Sequence, residues 1–263
     1  MKIRTKTLIE MKQRGEPIVA LTSYDALTAQ IFDSAGVHVL LVGDSAANTV
    51  LGYSTTLPIT VEEMIPFARA VANSAKQSLV VVDLPFGSYE SGAEQALASA
   101  IRIIKETGAA AVKLEGGSER VSQIEALVSA GIPVMGHLGF TPQSVNQFGG
   151  FRVQGRGSAG QTLLADAAAL QSAGCFSIVL EMIPRQLAAE VSKALEIPTI
   201  GIGAGNETDG QILVWTDMAG MQESVPKFVR QFENLGTRLS EAASAYRSAV
   251  TSREFPAAEH SFD

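Results

Sequence analysis

The feature that most constrains this chain is a junction it uses repeatedly. In "SAGVHVLLV", "ETGAAAVKL", "SAGIPVMG" and "SAGCFSIVL", a helical pattern stops at a glycine and an apolar run begins within a few residues. Glycine is the expected stop, because the residue beyond the last helical turn often adopts a left-handed conformation. These runs and others like them read as strands: "IVALTSY", "VLLVGD", "LVVVDLP", "AAVKLE", "IPVMGHLG", "FSIVLEM", "IPTIGIG" and "QILVW". Helical periodicity fills Ser91 to Thr107, Glu119 to Ala130, Ala159 to Ala173 and Arg185 to Leu195. Strands alternating with helices in this way imply parallel pairing with crossover helices. Eight such strands in 263 residues fit an α/β fold of the (β/α)8 TIM-barrel type, as one barrel domain over residues 1–263. A doubly wound open sheet is the structural alternative. The first fourteen residues read as a helix placed to cover the barrel's bottom, and "REFPAAEHSFD" reads as a tail without helical period.

Composition narrows the function classes. The formal charge is −7 and no Lys/Arg cluster offers a phosphate footprint, which argues against nucleic-acid binding. No apolar run approaches the length of a membrane span, and "MKIRTKTLIEMKQRGEP" lacks the apolar centre of a signal peptide. The single Cys175 has no partner for an intramolecular disulfide or a zinc cluster, which fits a reducing compartment. A cytoplasmic protein without membrane or nucleic-acid partners is expected.

Carboxylates sit where buried strands should simply end. Asp44 closes the second strand, Asp83 the third, Lys113 and Glu115 the fourth, His137 the fifth and Glu181 the sixth. In a barrel those ends form the top face, where active sites are built. Side chains alternate along a strand, so Lys113 and Glu115 share one face and Glu181 lies opposite Leu180. Three acids in one partly dry cavity would repel one another, and an all-oxygen set selects a hard cation, with Mg²⁺ the first choice. The alternative for each acid is to cap the following helix or pair with Lys113 or an arginine. Lys113 suits an anionic substrate, or else an ion pair with Glu115 or Asp83. His137 is a secondary candidate that touches substrate, orients a carboxylate or serves only structure. Glu181 lies in the apolar "FSIVLEMIP", where desolvation would raise its pKa and favour a general base; the alternative is a carboxylate satisfied by backbone donors. Base, metal and ammonium together suit proton abstraction beside a carbonyl, with a stabilised enolate of a small oxo acid. "GIGAGN" reads as a glycine turn at a strand end, either beside a ligand or purely structural.

At these residues the chain resembles a known family. "SYDALTAQIF", "LLVGDS", "GYSTTLPIT", "VVDLPFGSY", "VKLEGG", "VMGHLGFTPQSVNQFGGFRVQGR", "IVLEMIP", "IPTIGIGAGNETDGQILV" and "EFPAAEHSF" are similar to the ketopantoate hydroxymethyltransferases, from about Thr22 to Phe262. The resemblance implies a barrel of the phosphoenolpyruvate/pyruvate superfamily. It also implies transfer of a hydroxymethyl group from 5,10-methylenetetrahydrofolate to 3-methyl-2-oxobutanoate, giving 2-dehydropantoate for pantothenate synthesis. Carried across, it makes Asp44, Asp83 and Glu115 the Mg²⁺ positions, and Ser45, Asp83 and Lys113 the oxo-acid contacts, with Asp44 touching substrate too. Glu181 becomes the proton acceptor. The resemblance further implies a homo-oligomer, typically a decamer. The chain departs from the family at Ala46, Ala47 and Asn48, where "LGM" is usual, and at Ser54, where Asp is common. A carbon–carbon lyase or mutase of the same superfamily is the competing function, and a non-catalytic metabolite-binding barrel is a third.

Overall fold

The computed structural model describes residues 2–262. Eight strands close into a parallel barrel in sequence order: β1 Ile18–Thr22, β2 Val39–Val42, β3 Leu79–Asp83, β4 Ala111–Lys113, β5 Val134–Gly139, β6 Ser177–Glu181, β7 Thr199–Ile202 and β8 Gly210–Leu213. Closure comes from β1 pairing with β8, with Ile18 opposite Gly210. The open-sheet alternative is thereby excluded. Strands β2, β3 and β4 are buried along their whole length, which explains their unbroken apolar runs: a parallel strand between a packed interior and a helical layer has no solvent face.

Helices follow the expected segments closely, with Ala93–Thr107, Ala159–Ser172 and Arg185–Ala194 each within two residues of the periodic pattern. The stretch from Glu119 divides into a 3₁₀ turn at Ser118–Arg120 and a helix at Val121–Ser129. The N-terminal helix Thr5–Arg14 covers the bottom: Lys12 Nζ donates to the Ser192 carbonyl (2.7 Å) and to Asp209 Oδ2 (2.9 Å), just ahead of β8. The β7–β8 crossover contains no helix and spans only residues 203–209. The "GIGAGN" glycines shape this strap, because a Cβ on Gly205 would come within 2.6 Å of the Arg185 Cβ. That packing favours the structural reading of the turn.

The residues up to Val214 and those from Trp215 onward form two compact units. The second carries the helix Leu235–Thr251, which buries no residue, and a 3₁₀ turn at Ala258–His260 within the expected tail. No helix among the described residues is long and apolar enough to cross a membrane.

Candidate active site

Strand register gathers the polar groups. Asp83 pairs with Lys113 across β3 and β4, Lys113 with Met135 across β4 and β5, and Met135 with Ser177 across β5 and β6. Stepping by two along each strand puts Asp83, Lys113, Glu115, His137 and Glu181 on one face, at the C-terminal mouth. Asp44 joins them from the turn after β2. That turn is tight because position 43 is glycine: a Cβ there would lie 2.8 Å from Ser45 Oγ.

Lys113 is the centre. Its ammonium lies 2.7 Å from Asp83 Oδ1, an ion pair set off the line of a hydrogen bond, and 3.8 Å from Glu115 Oε1. The ion pairs with Asp83 and Glu115 expected as one reading of the lysine are present. Asp83 Oδ2 accepts the Asp44 backbone N–H (3.0 Å), so these acids do not cap the following helices with their side chains. Burial opposes the lysine's charge, but Asp83, Glu115 and Asp44 outweigh it and raise its pKa. Asp44 shows the reverse balance: burial first, then the charges of Asp83 and Glu115, push it up to about 8. Glu115 is lowered despite its burial, because His137, Lys113 and the Gln143 N–H favour its anion.

His137 lies between two carboxylates and the lysine. Its Nδ1 is 3.3 Å from Glu115 Oε1 and 3.3 Å from Lys113 Nζ, and its Nε2 is 3.3 Å from Glu181 Oε2, off the hydrogen-bond line. Burial and Lys113 disfavour its proton, yet Glu115 and Glu181 hold the imidazolium up to about 9. Glu181 differs from its expected setting. Its side chain is 14% exposed against 3% for Glu115 and faces His137, so the apolar sequence around it does not enclose the carboxylate. The deeper desolvation falls on Asp44. The Glu181 backbone is clamped: its carbonyl accepts the Phe140 N–H (2.8 Å), and a Cβ on Gly139 would collide with that carbonyl. Met182, directly after it, has φ 48°, a sparsely populated region for a non-glycine residue and one that recurs at functional sites.

Sequence reasoning missed three polar residues at the mouth. Tyr24 OH lies 2.7 Å from Ser45 Oγ. Gln143 Nε2 donates to Asp44 Oδ2 (2.9 Å), and Tyr89 OH donates to Gln143 Oε1 (2.5 Å). The available signal for Gln143 was its place in "FTPQS", directly beyond β5.

Among the described residues, no three His, Cys, Asp or Glu side chains form a ready-made metal cage. The donor chemistry still fits a hard divalent cation. Asp44, Asp83 and Glu115 offer only oxygen, all three are buried, and Asp44 is pushed toward protonation by its two neighbours' charges. An added cation would relieve that repulsion.

A closed parallel barrel with an acid–lysine–histidine cluster at its C-terminal mouth defines a barrel enzyme for small anionic substrates. The family model for ketopantoate hydroxymethyltransferase matches residues 2–258. The chain belongs to that family. It is 59% identical over 263 residues to 3-methyl-2-oxobutanoate hydroxymethyltransferase of Saccharopolyspora erythraea, covering 100% of this chain and 90% of that one. It is 56% identical over 262 residues to the protein of the same name from Leifsonia xyli subsp. xyli, covering 99% and 95%. Among solved structures, phosphonopyruvate hydrolase complexed with oxalate and Mg²⁺ superposes with a TM-score of 0.62 at 12% identity, covering 98% of this chain and 93% of that one. For 2,3-dimethylmalate lyase, a member of the PEP mutase/isocitrate lyase superfamily, the TM-score is 0.60 at 18% identity, with 95% and 89% covered. At such identities these two establish the fold alone, an eight-stranded parallel barrel as expected from the sequence.

Proposed function

We infer that this enzyme transfers a hydroxymethyl group from 5,10-methylenetetrahydrofolate to 3-methyl-2-oxobutanoate, giving 2-dehydropantoate in pantothenate biosynthesis. The observation that carries the site chemistry is the buried Lys113–Asp83 ion pair standing between Asp44, Glu115 and the His137–Glu181 pair. Asp44, Asp83 and Glu115 are the residues that would hold Mg²⁺. When bound, the ion supplies Lewis acidity toward the oxo-acid oxygens.

Lys113 attracts the substrate's negative charge and offsets the charge that develops when C3 is deprotonated. Asp44, Asp83 and Ser45 line the same pocket as further substrate contacts. Glu181 takes the C3 proton, and His137, whose Nε2 is 3.3 Å from Glu181 Oε2, helps to position that carboxylate. The C3 electron pair forms the new bond to the one-carbon unit as one of its two carbon–nitrogen bonds to folate breaks. A water oxygen then replaces the second nitrogen, each nitrogen leaves with its bonding electrons, and the C3 proton and one proton of the water end on those two nitrogens. The lyase-or-mutase alternative is supported only by likeness of fold. We read the chain as one barrel-centred domain in a cytoplasmic homo-oligomer, of the decameric kind that the family resemblance suggests.

Deprotonation by Glu181 should not need the folate. With Mg²⁺ and 3-methyl-2-oxobutanoate in D₂O, the enzyme is expected to exchange the C3 proton for deuterium, seen by NMR as loss of the methine signal. Glu181→Gln should still bind oxo acid while exchange slows by at least ~10²-fold. Undiminished exchange in that variant would give the proton to another residue.

A further inference from the structure

We propose that Gln143, oriented by Tyr89, is the positioning residue that fixes which oxygens of Asp44 and Glu115 face the cation. The proposal rests on the metal reading above. Gln143 comes from the loop after β5 and Tyr89 from the loop after β3, and both are buried, at 6% and 1% exposure.

Gln143 reaches both acids at once. Its backbone N–H donates to Glu115 Oε2 (3.0 Å), and its Nε2 donates to Asp44 Oδ2 (2.9 Å) and to the Leu84 carbonyl (3.1 Å). Two acceptors on one side of an amide require the NH₂ there; turned over, its oxygen would face a carboxylate and a carbonyl. Tyr89 enforces the same choice from the other side. Its hydroxyl oxygen accepts the Glu115 backbone N–H (3.2 Å), and its one proton points to Gln143 Oε1 at 2.5 Å, nearer than the Glu115 carbonyl at 3.4 Å. The hydrogen bonds therefore run in one direction, from the Glu115 amide through the phenol to the Gln143 carbonyl, while the Gln143 NH₂ points at Asp44.

A bond to one carboxylate oxygen restrains rotation of the whole group and gives the second oxygen a fixed direction. For Glu115 that second oxygen, Oε1, faces Lys113 and His137. For Asp44 it is Oδ1, to which nothing donates a hydrogen bond among the described residues. Two acids from different parts of the mouth thus present their remaining oxygens in a fixed relation, set by one neutral residue, through its backbone N–H for Glu115 and its side chain for Asp44. A carboxylate at position 143 would restrain them less well, since it could not donate to Asp44 and would add a like charge.

The decisive measurement is Mn²⁺ affinity, followed by the EPR signal of free Mn²⁺, on Gln143→Met, Tyr89→Phe and the double variant, with thermal melts of the metal-free proteins alongside. Gln143→Met keeps length and loses both donor and acceptor; its Kd should rise about 10–100-fold, the usual cost of removing an outer hydrogen-bonding partner at a metal site. Tyr89→Phe keeps the ring beneath Arg120, whose Cζ is 5.5 Å from the ring centroid, and should weaken Mn²⁺ about fivefold, the equivalent of one neutral hydrogen bond. The double variant should bind no more weakly than Gln143→Met, because a chain of bonds is severed only once. A folded Gln143→Met with a Kd within twofold of the parent would overturn the proposal, and so would losses that add. If Gln143→Met fails to fold, Tyr89→Phe decides by the same twofold criterion. A parent enzyme that binds no Mn²⁺ would instead overturn the metal reading underneath.

Discussion

Asp33 and Asp44 are buried to nearly the same depth, at 6% and 4% exposure, at opposite ends of the barrel, and they behave in opposite ways. Asp33, at the end of the Ala26–Ser34 helix, accepts the backbone N–H groups of Lys76, Gln77 and Ser78 and the Ser78 hydroxyl, all just ahead of β3. Burial alone would favour its neutral form, but those donors outweigh burial and lower its pKa. Asp44, beyond β2 at the mouth, has one side-chain donor, Gln143, and two charged acids nearby, and its pKa rises to about 8. The same residue type is a finished structural joint at one end and a carboxylate short of donors at the other. Solvent exposure does not distinguish them, but Asp44 lies deeper among packed atoms and also lacks the donors that surround Asp33. A carboxylate that folding leaves short of partners marks the place where a ligand completes the structure.

The contrast can be broken, and the sharpest attempt removes Lys113, the buried ammonium at the mouth. Lys113→Met should lower kcat/KM by about 10²–10³-fold, as for other lost electrostatic stabilisers, in steady-state assays with folate and oxo acid. A variant within a factor of two of the parent would reduce Lys113 to a strut like Asp33's donors. Next come the aspartates themselves. Asp33→Asn replaces an acceptor oxygen with an NH₂ facing backbone N–H groups, and should cost about 1–3 kcal/mol of stability in urea melts while kcat/KM stays within twofold. Asp44→Asn should do the reverse, with activity lost and metal-free stability equal to or above the parent's, because like-charge repulsion is relieved. Matching outcomes for the two variants would dissolve the comparison.

The smallest effect is also the most specific, since the two acids tilt stability against pH in opposite directions. A lowered folded pKa contributes stability that is present above the ordinary carboxylate value, about 4, and is lost as pH falls through the folded value. The gap between the parent and Asp33→Asn should therefore narrow below about pH 4. A raised folded pKa contributes stability that is present below about pH 4 and lost as pH rises through the folded value, about 8. In metal-free protein, Asp44→Asn should gain on the parent across that window. Parallel stability curves would remove the electrostatic account of Asp44.

Much of this was legible in the residues. The eight strands announced themselves because parallel strands are buried on both faces and leave unbroken apolar runs. Asp44, Asp83, Lys113, Glu115, His137 and Glu181 were visible as polar residues closing or interrupting those runs. Gln143 and Tyr89 were not, because a neutral polar residue in a loop looks ordinary until folding brings it across 99 positions to Asp44. Asp33 was hidden for a related reason, since three of its four donors are backbone N–H groups 43 to 45 residues away, which leave no side-chain signature. The setting of Glu181 was misjudged because apolar neighbours in sequence point to the opposite side of the strand, while His137 comes from another strand altogether.

The pairing of β1 with β8 has a consequence for how this protein is made. Ile18 meets Gly210, 192 positions later, so the barrel cannot close until nearly four-fifths of the chain has been synthesised. At roughly 5–20 residues per second, β1 waits about 10–40 s on the ribosome for its last partner. Throughout that interval one side of a strand containing Ile18, Ala20 and Leu21 presents unpaired backbone groups, a template to which a neighbouring nascent chain can add. The helix-free strap at residues 203–209 shortens the end of that wait, because β8 emerges almost directly behind β7.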